Sequence, residues 1–144
     1  MPASPGTDNL GFLLAKAAQR WNELLVDAFA AAGYGQVRAS YGSVLLPLWR
    51  EDGLRMGELA VRSRLSKQTM TTLVRLAERD GLVERRPDPG DHRATRVWLT
   101  TTAAEFGPVA GAVVEQLSRR VESAIGPPAT RTLERALTTV MNIE

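Results

Sequence analysis

The apolar positions of this chain recur mostly at helical spacing, in blocks separated by glycine, proline and clusters of small polar residues. From Leu10 onward, Leu13, Leu14, Ala17, Ala18, Trp21, Leu24, Leu25, Ala28 and Phe29 line one side of a predicted helix, opposite Lys16, Gln19, Arg20, Glu23 and Asp27. Asp8 is placed to cap its start, and Gly33-Tyr34-Gly35 to end it. Ser40 can cap a second helix that turns Tyr41, Val44, Leu45, Leu48 and Trp49 to one face; Pro47 inside it predicts a kink or a missing hydrogen bond. Glu51-Asp52-Gly53 is a loop, and Leu54-Arg55 a short strand.

A third helix is predicted from Met56 to about Arg62, with Met56, Leu59 and Ala60 inward. Ser63-Arg64-Leu65 makes a turn, Ser66 caps a fourth helix running to about Asp80, and Gly81 stops it. Met70, Leu73, Val74 and Ala77 share the inner face of that helix. Gln68, Thr71, Thr72, Arg75 and Arg79 share the outer one, with Lys67 at its margin. A strand from Gly81 to Arg86, a polar turn from Arg86 to Arg93 and a return strand from Thr95 to Leu99 predict a β-hairpin. Thr102 and Glu105 have capping-box spacing, so a helix opens near Thr100 to Thr102. Gly107-Pro108 is expected to interrupt it and to start the main helix, whose stripe is Val109, Val113, Leu117, Val121 and Ala124. After Gly126-Pro127-Pro128, a last helix carries Leu133, Ala136, Leu137, Val140 and Met141.

Helix, turn, helix and hairpin in that order describe a winged helix: a mainly α chain with a small β wing. We therefore expect a flexible tail at 1–8 and a single domain at 9–144. Within it, 40–100 form the winged-helix lobe, and 9–39 with 101–144 supply dimerisation helices. The terminal stripes offer more apolar surface than one small module buries, which predicts a two-fold dimer.

Charge sharpens this picture. Between Arg55 and Arg96 lie ten Lys or Arg and six Asp or Glu, leaving +4, whereas the remainder of the +2 chain carries −2. A locally positive lobe on an otherwise slightly acidic chain suits a phosphate backbone as partner. The absence of cysteine removes disulfides, thiolate metal sites and thiol switches, and a single histidine removes any imidazole-rich metal centre. No stretch approaches the roughly 20 apolar residues of a membrane span, and the N-terminus lacks the pattern of a secretory signal, so a cytoplasmic location is expected. Nor is there a Gly-rich phosphate loop or a nucleophile elbow. His92 beside Asp91 sits on a hairpin tip with no second partner, so an enzyme is not expected.

The chain resembles the MarR (multiple-antibiotic-resistance regulator) family of bacterial transcription factors. The resemblance is carried by Gly57-Glu58-Leu59-Ala60 through Leu65-Ser66, Leu73-Val74-Arg75-Leu76 through Gly81-Leu82-Val83-Glu84-Arg85, the wing Asp88 to Ala94, and the exit Val97-Trp98-Leu99-Thr100. It implies a homodimeric winged helix on pseudo-palindromic double-stranded DNA, usually a repressor, requiring no cofactor and released by a small phenolic or anionic ligand. The chain departs from the family at Ala103, where glycine is frequent, and at Pro47. Lacking cysteine, it also lacks the thiol signalling of peroxide-sensing members.

The expected DNA-binding residues are Ser66, Lys67, Gln68, Thr71, Thr72, Arg75, Arg86, Asp91 and Arg93. Gln68 can pair with adenine or be a solvated amide; Arg75 can read guanine or hold a phosphate; Lys67, near the helix start, suits a phosphate. Thr71 and Thr72 can meet a thymine methyl or a phosphate, or merely occupy an exposed face. Ser66 caps first and contacts phosphate second. Arg85, Arg86 and Arg96 hold phosphates or solubilise the hairpin. Arg93 can enter the minor groove, and the resemblance implies that Asp91 pairs with and steadies it; the plain alternative is a turn aspartate beside a solvated arginine. Trp21, Tyr41 and Trp49 read as core before they read as a ligand cleft. The competing reading of the whole is a winged-helix module that binds protein or coats DNA without sequence preference.

Overall fold

In a computed structural model, which describes residues 3–144, six α-helices and a three-stranded sheet follow one another much as the periodicity predicts. They are α1 (Leu10–Ala31), α2 (Gly42–Arg50), β1 (Leu54–Arg55), α3 (Met56–Arg62), α4 (Lys67–Arg79), β2 (Val83–Asp88), β3 (Asp91–Leu99), α5 (Thr101–Ile125) and α6 (Pro127–Met141). The first two residues of the expected tail lie outside the described residues. The sheet is antiparallel in the order β1-β3-β2, with Leu54 opposite Val97 and Arg85 opposite Val97 from the other side.

One core joins the winged helix to the terminal helices. Tyr41, Val44, Leu45 and Leu48 of the α2 region bury against Leu59, Met70, Val74, Leu82 and Val97. Phe106 of α5 extends that core, packing edge-on to Phe29 of α1 at 4.7 Å and against Tyr34 at 4.6 Å. Outside it, α1, α5 and α6 leave Leu10, Leu13, Ile125, Leu133 and Leu137 exposed along an apolar groove of about 590 Å³ that Trp21 also lines.

Several local expectations are corrected. Asn9, not Asp8, caps α1, its side-chain oxygen accepting from the Phe12 N–H at 2.9 Å. Ser40 caps nothing, because residues Ala39–Tyr41 form a 3₁₀ turn that runs straight into α2. The hairpin turn is shorter than expected: β2 continues through Pro87 to Asp88, with a bulge there, and only Pro89-Gly90 separate the strands. Thr100 rather than Thr102 caps α5. Its hydroxyl accepts from the Ala103 N–H and donates to the Gly81 carbonyl, so both its capacities are used where β3 ends.

The two internal prolines are accommodated by different means. Pro108 does not break α5, which is one helix from Thr101 to Ile125. The carbonyl that its missing N–H leaves free belongs to Ala104, and both residues are exposed, so that carbonyl is open to solvent. One turn away, Gly107 admits the Trp49 indole, which donates to the Ala103 carbonyl at 3.1 Å; a β-carbon at position 107 would stand 3.3 Å from the indole nitrogen. Pro47 likewise leaves the Ser43 carbonyl without its helical partner. Here a side chain replaces it: the Ser63 hydroxyl, in the turn between α3 and α4, donates to the Ser43 carbonyl. The irregularity in α2 thereby becomes an attachment point for the helix-turn-helix.

Candidate nucleic-acid interface

Helix α4 is held at both ends and along one side. Ser66 caps its start by accepting from the Thr69 N–H at 3.1 Å. At its far end the buried Tyr41 hydroxyl donates to Asp80, the C-cap residue. That hydroxyl holds the Asp80 carboxyl below the usual range, while burial, and then Asp80 itself, pushes the Tyr41 hydroxyl up. Glu78 ties the helix to the wing, accepting both the backbone N–H and the guanidinium of Arg85 at 2.9 Å. The Arg85 N–H, and then its guanidinium, hold the Glu78 carboxyl below its ordinary value. With Met70, Val74 and Ala77 buried, the opposite face of α4 is fixed outward.

That outward face and the wing enclose a groove of about 520 Å³, lined by Lys67, Thr71 and Arg75 from α4, Arg55 and Glu58 beside it, and Arg85 and Arg93 from the hairpin. Among the described residues Lys67, Arg75 and Arg93 make no ion pair, so three cations are available to an anionic partner. Gln68 and Thr72 are exposed on the same helix. Of the nine expected residues, Lys67, Thr71, Arg75 and Arg93 therefore line one groove, with Gln68 and Thr72 beside them on α4.

Arg86 is placed differently. Arg85 and Arg86 are consecutive in a strand and must point to opposite faces. Arg86 lies on the outer face of the hairpin over the Trp98 ring at 5.4 Å, paired with Glu84 at 3.2 Å. The expected Asp91–Arg93 side-chain pair does not form either: the Asp91 carboxylate accepts the backbone N–H of Arg93 at 3.0 Å and leaves its guanidinium free. The carboxylate that organises the wing is Asp88, three residues earlier and 2% exposed. It accepts from the Gly90 N–H at 2.7 Å and from the Nε of Arg55 and of Arg96, each at 2.8 Å. The Gly90 N–H first, then Arg96 and Arg55, keep this carboxyl below its ordinary range. Arg96 also donates to the Gly53 carbonyl. Gly53 itself, at φ +69°, lies so close under Trp98 that a β-carbon would come within 2.5 Å of the ring. Asp88 thus joins β1, β3 and the hairpin turn, a role the sequence reading gave to no residue.

A three-helix reader with an antiparallel wing and a cationic groove between them defines a winged helix-turn-helix protein. The model of the MarR family matches residues 40–94, the segment that builds this groove. Over 57 residues, 40% of this chain, it is 40% identical to the HTH-type transcriptional regulator TtmR of Methylorubrum extorquens (strain PA1); the matched stretch spans 29% of that relative. Similarity of fold extends over the whole chain. The PcaV transcriptional regulator of Streptomyces coelicolor, solved in complex with its natural ligand, superposes with a TM-score of 0.80 at 19% identity, covering 99% of this chain and 98% of that one. The transcriptional repressor CouR, solved on a 23-mer DNA duplex, also gives 0.80, at 22% identity over 97% and 100% of the two chains. No helix among the described residues is long and apolar enough to cross a membrane.

Proposed function

We propose that this chain is a sequence-specific, DNA-binding transcriptional regulator, a repressor acting in the cytoplasm as a homodimer on a pseudo-palindromic operator. The observation that carries this reading is the groove between α4 and the wing. Lys67, Arg75 and Arg93 stand unpaired around it, and an outward stripe of Gln68, Thr71 and Thr72 is held rigidly beside it. A major groove admits such a helix, and phosphates take up the free cations.

The exposed leucines of α1 and α6 support the dimer: an apolar groove of this length on a soluble chain calls for a covering surface, and a second copy supplies a matching one by symmetry. We take 9–39 and 101–144 as that dimerisation region and 40–100 as the reading lobe. Release by a small phenolic or anionic ligand is part of the same proposal. It is supported by the ligand-bound relative and by a cleft of about 740 Å³ where Leu46, Pro47 and Trp49 meet Arg50 and Arg62.

The test is a footprint and a titration on the DNA flanking its own gene. The expected result is protection of a palindrome with half-sites about one helical turn apart, and an affinity falling steeply with salt. Equal affinity for target and random duplexes, unchanged by Gln68→Ala, would point to generic DNA coating instead. No binding to any duplex at low salt would end the proposal.

A further inference from the structure

Thr71 and Thr72 stand side by side on the outward stripe of α4, between Gln68 and Arg75. Their hydroxyl hydrogens are already spent. Thr71 Oγ1 donates to the Lys67 carbonyl at 2.8 Å and Thr72 Oγ1 to the Gln68 carbonyl at 3.2 Å, each one turn back along the same helix. A threonine hydroxyl has a single hydrogen, so neither side chain retains a donor; each keeps a γ-methyl and oxygen lone pairs.

That inventory decides between partners. Phosphate oxygens only accept, so either side chain would have to give up its bond to the helix carbonyl to hold a phosphate. In the major groove, guanine N7 and O6, adenine N7 and thymine O4 also only accept. What remains is apolar contact with the C5 methyl of thymine, or acceptance from the amino group of cytosine or adenine. Two adjacent γ-methyls favour the first. Hydrogen-bond donors are available next door: among the described residues, the Gln68 amide and the Arg75 guanidinium donate to nothing within the chain. Charge and donors thus flank a small apolar step.

Resting on the DNA-reading function, we propose that Thr71 and Thr72 are specificity-determining residues that read thymine through its methyl group. Each half-site then carries a thymine beneath this pair, whose methyl contributes to affinity and whose carbonyl oxygen does not.

Duplexes selected from a random pool by the intact protein provide the probe, with each thymine replaced in turn by deoxyuridine, which removes the methyl and nothing else. One thymine per half-site should lose about fourfold in affinity, the worth of roughly one methylene-sized group withdrawn from water. Valine at both positions keeps the methyl and removes the hydroxyl, and should preserve this ratio; serine keeps the hydroxyl and removes the methyl, and should bring it to one. Circular dichroism of the variants checks that α4 still folds. A selected motif in which every thymine tolerates deoxyuridine overturns the assignment. So does a deoxyuridine penalty that persists undiminished in the serine variant, because a group other than the threonine methyls would then be meeting the thymine methyl. Selection that returns no common motif removes the premise of sequence reading, and this assignment with it.

Discussion

Pro47 removes a hydrogen bond from α2, and Ser63 returns one from the helix-turn-helix; the two residues should therefore be energetically coupled. In the native protein the Ser63 hydroxyl is the donor that reaches the Ser43 carbonyl, since position 47 has no N–H. Ser63→Ala leaves that half-buried carbonyl unpaired, at a cost of about 1–2 kcal/mol. In a Pro47→Ala background the restored N–H at position 47 bonds the same carbonyl, and removing the Ser63 hydroxyl should then cost only about 0.5 kcal/mol, the lower end for one redundant hydrogen bond. The coupling is thus on the order of 1 kcal/mol, within reach of a double-mutant cycle. Urea denaturation of the four proteins at one fixed concentration measures it, since the proposed dimer would make apparent stability vary with concentration. In thermal melts the native-background cost corresponds to a drop of roughly 3–6 °C for a chain of this size. Equal costs of Ser63→Ala in both backgrounds would refute the idea that the hydroxyl substitutes for the missing amide.

Other outcomes follow from the same structure. Asp88→Asn keeps the shape of the side chain but removes the charge that two guanidiniums share. Hydrogen exchange at Gly90 and Arg93 should rise on the order of tenfold while α4 stays protected, and unchanged exchange would show that the wing is held otherwise. Asp88, Asp80 and Glu78 all have carboxyls held below their ordinary values in the fold, so their stabilisation is fully present above the unfolded values near pH 4 and is lost as pH falls through the folded ones. Melting temperature should accordingly be level from pH 7 to 5 and fall below about pH 4; a decline between 7 and 5 would implicate other groups. Leu137→Asp places a charge in the apolar groove of the terminal helices, and sedimentation should show monomers with weakened operator binding. A variant that remains dimeric would move the interface elsewhere.

How much of this was legible in the sequence depends on whether the deciding contact was local. The inward face of α4, its Ser66 cap and its Gly81 stop are set by residues within a few positions, and periodicity alone finds them. The opposed faces of Arg85 and Arg86 were equally local: strand alternation from the buried Val83 puts position 85 on the inner side and 86 on the outer, and reading both as equivalent cations overlooked it. Asp88 and Asp91 are harder to tell apart. Both are turn aspartates of the same chemistry, and what buries one is the arrival of Arg55 from a strand 33 residues earlier. An Asx turn onto Gly90 was the available hint. The continuity of α5 through Pro108 depends on which side of the helix faces water, and the filling of the Pro47 gap on a serine brought alongside by tertiary packing. Neither follows from spacing.

These long-range contacts give α4 its mechanical character. At its start the helix follows a turn whose Ser63 holds α2 and whose Arg64, at φ +55°, donates to the Met141 carbonyl and the Asn142 side chain at the end of α6. At its end it is fastened to Tyr41, ahead of α2, and through Glu78 to the wing. Every fastening is a hydrogen bond to a group on another element, and the inner face is packed into the shared core. Both ends of α4 thus connect to the Tyr41–Ser43 segment at the start of α2, through Asp80 and Ser63, and its middle is packed by Met70 and Val74. A shift of that segment would therefore tend to move α4, and through Glu78 the wing, together. In the homodimer proposed above, moving two such units apart would change whether both half-sites are engaged, without altering one contact inside either groove.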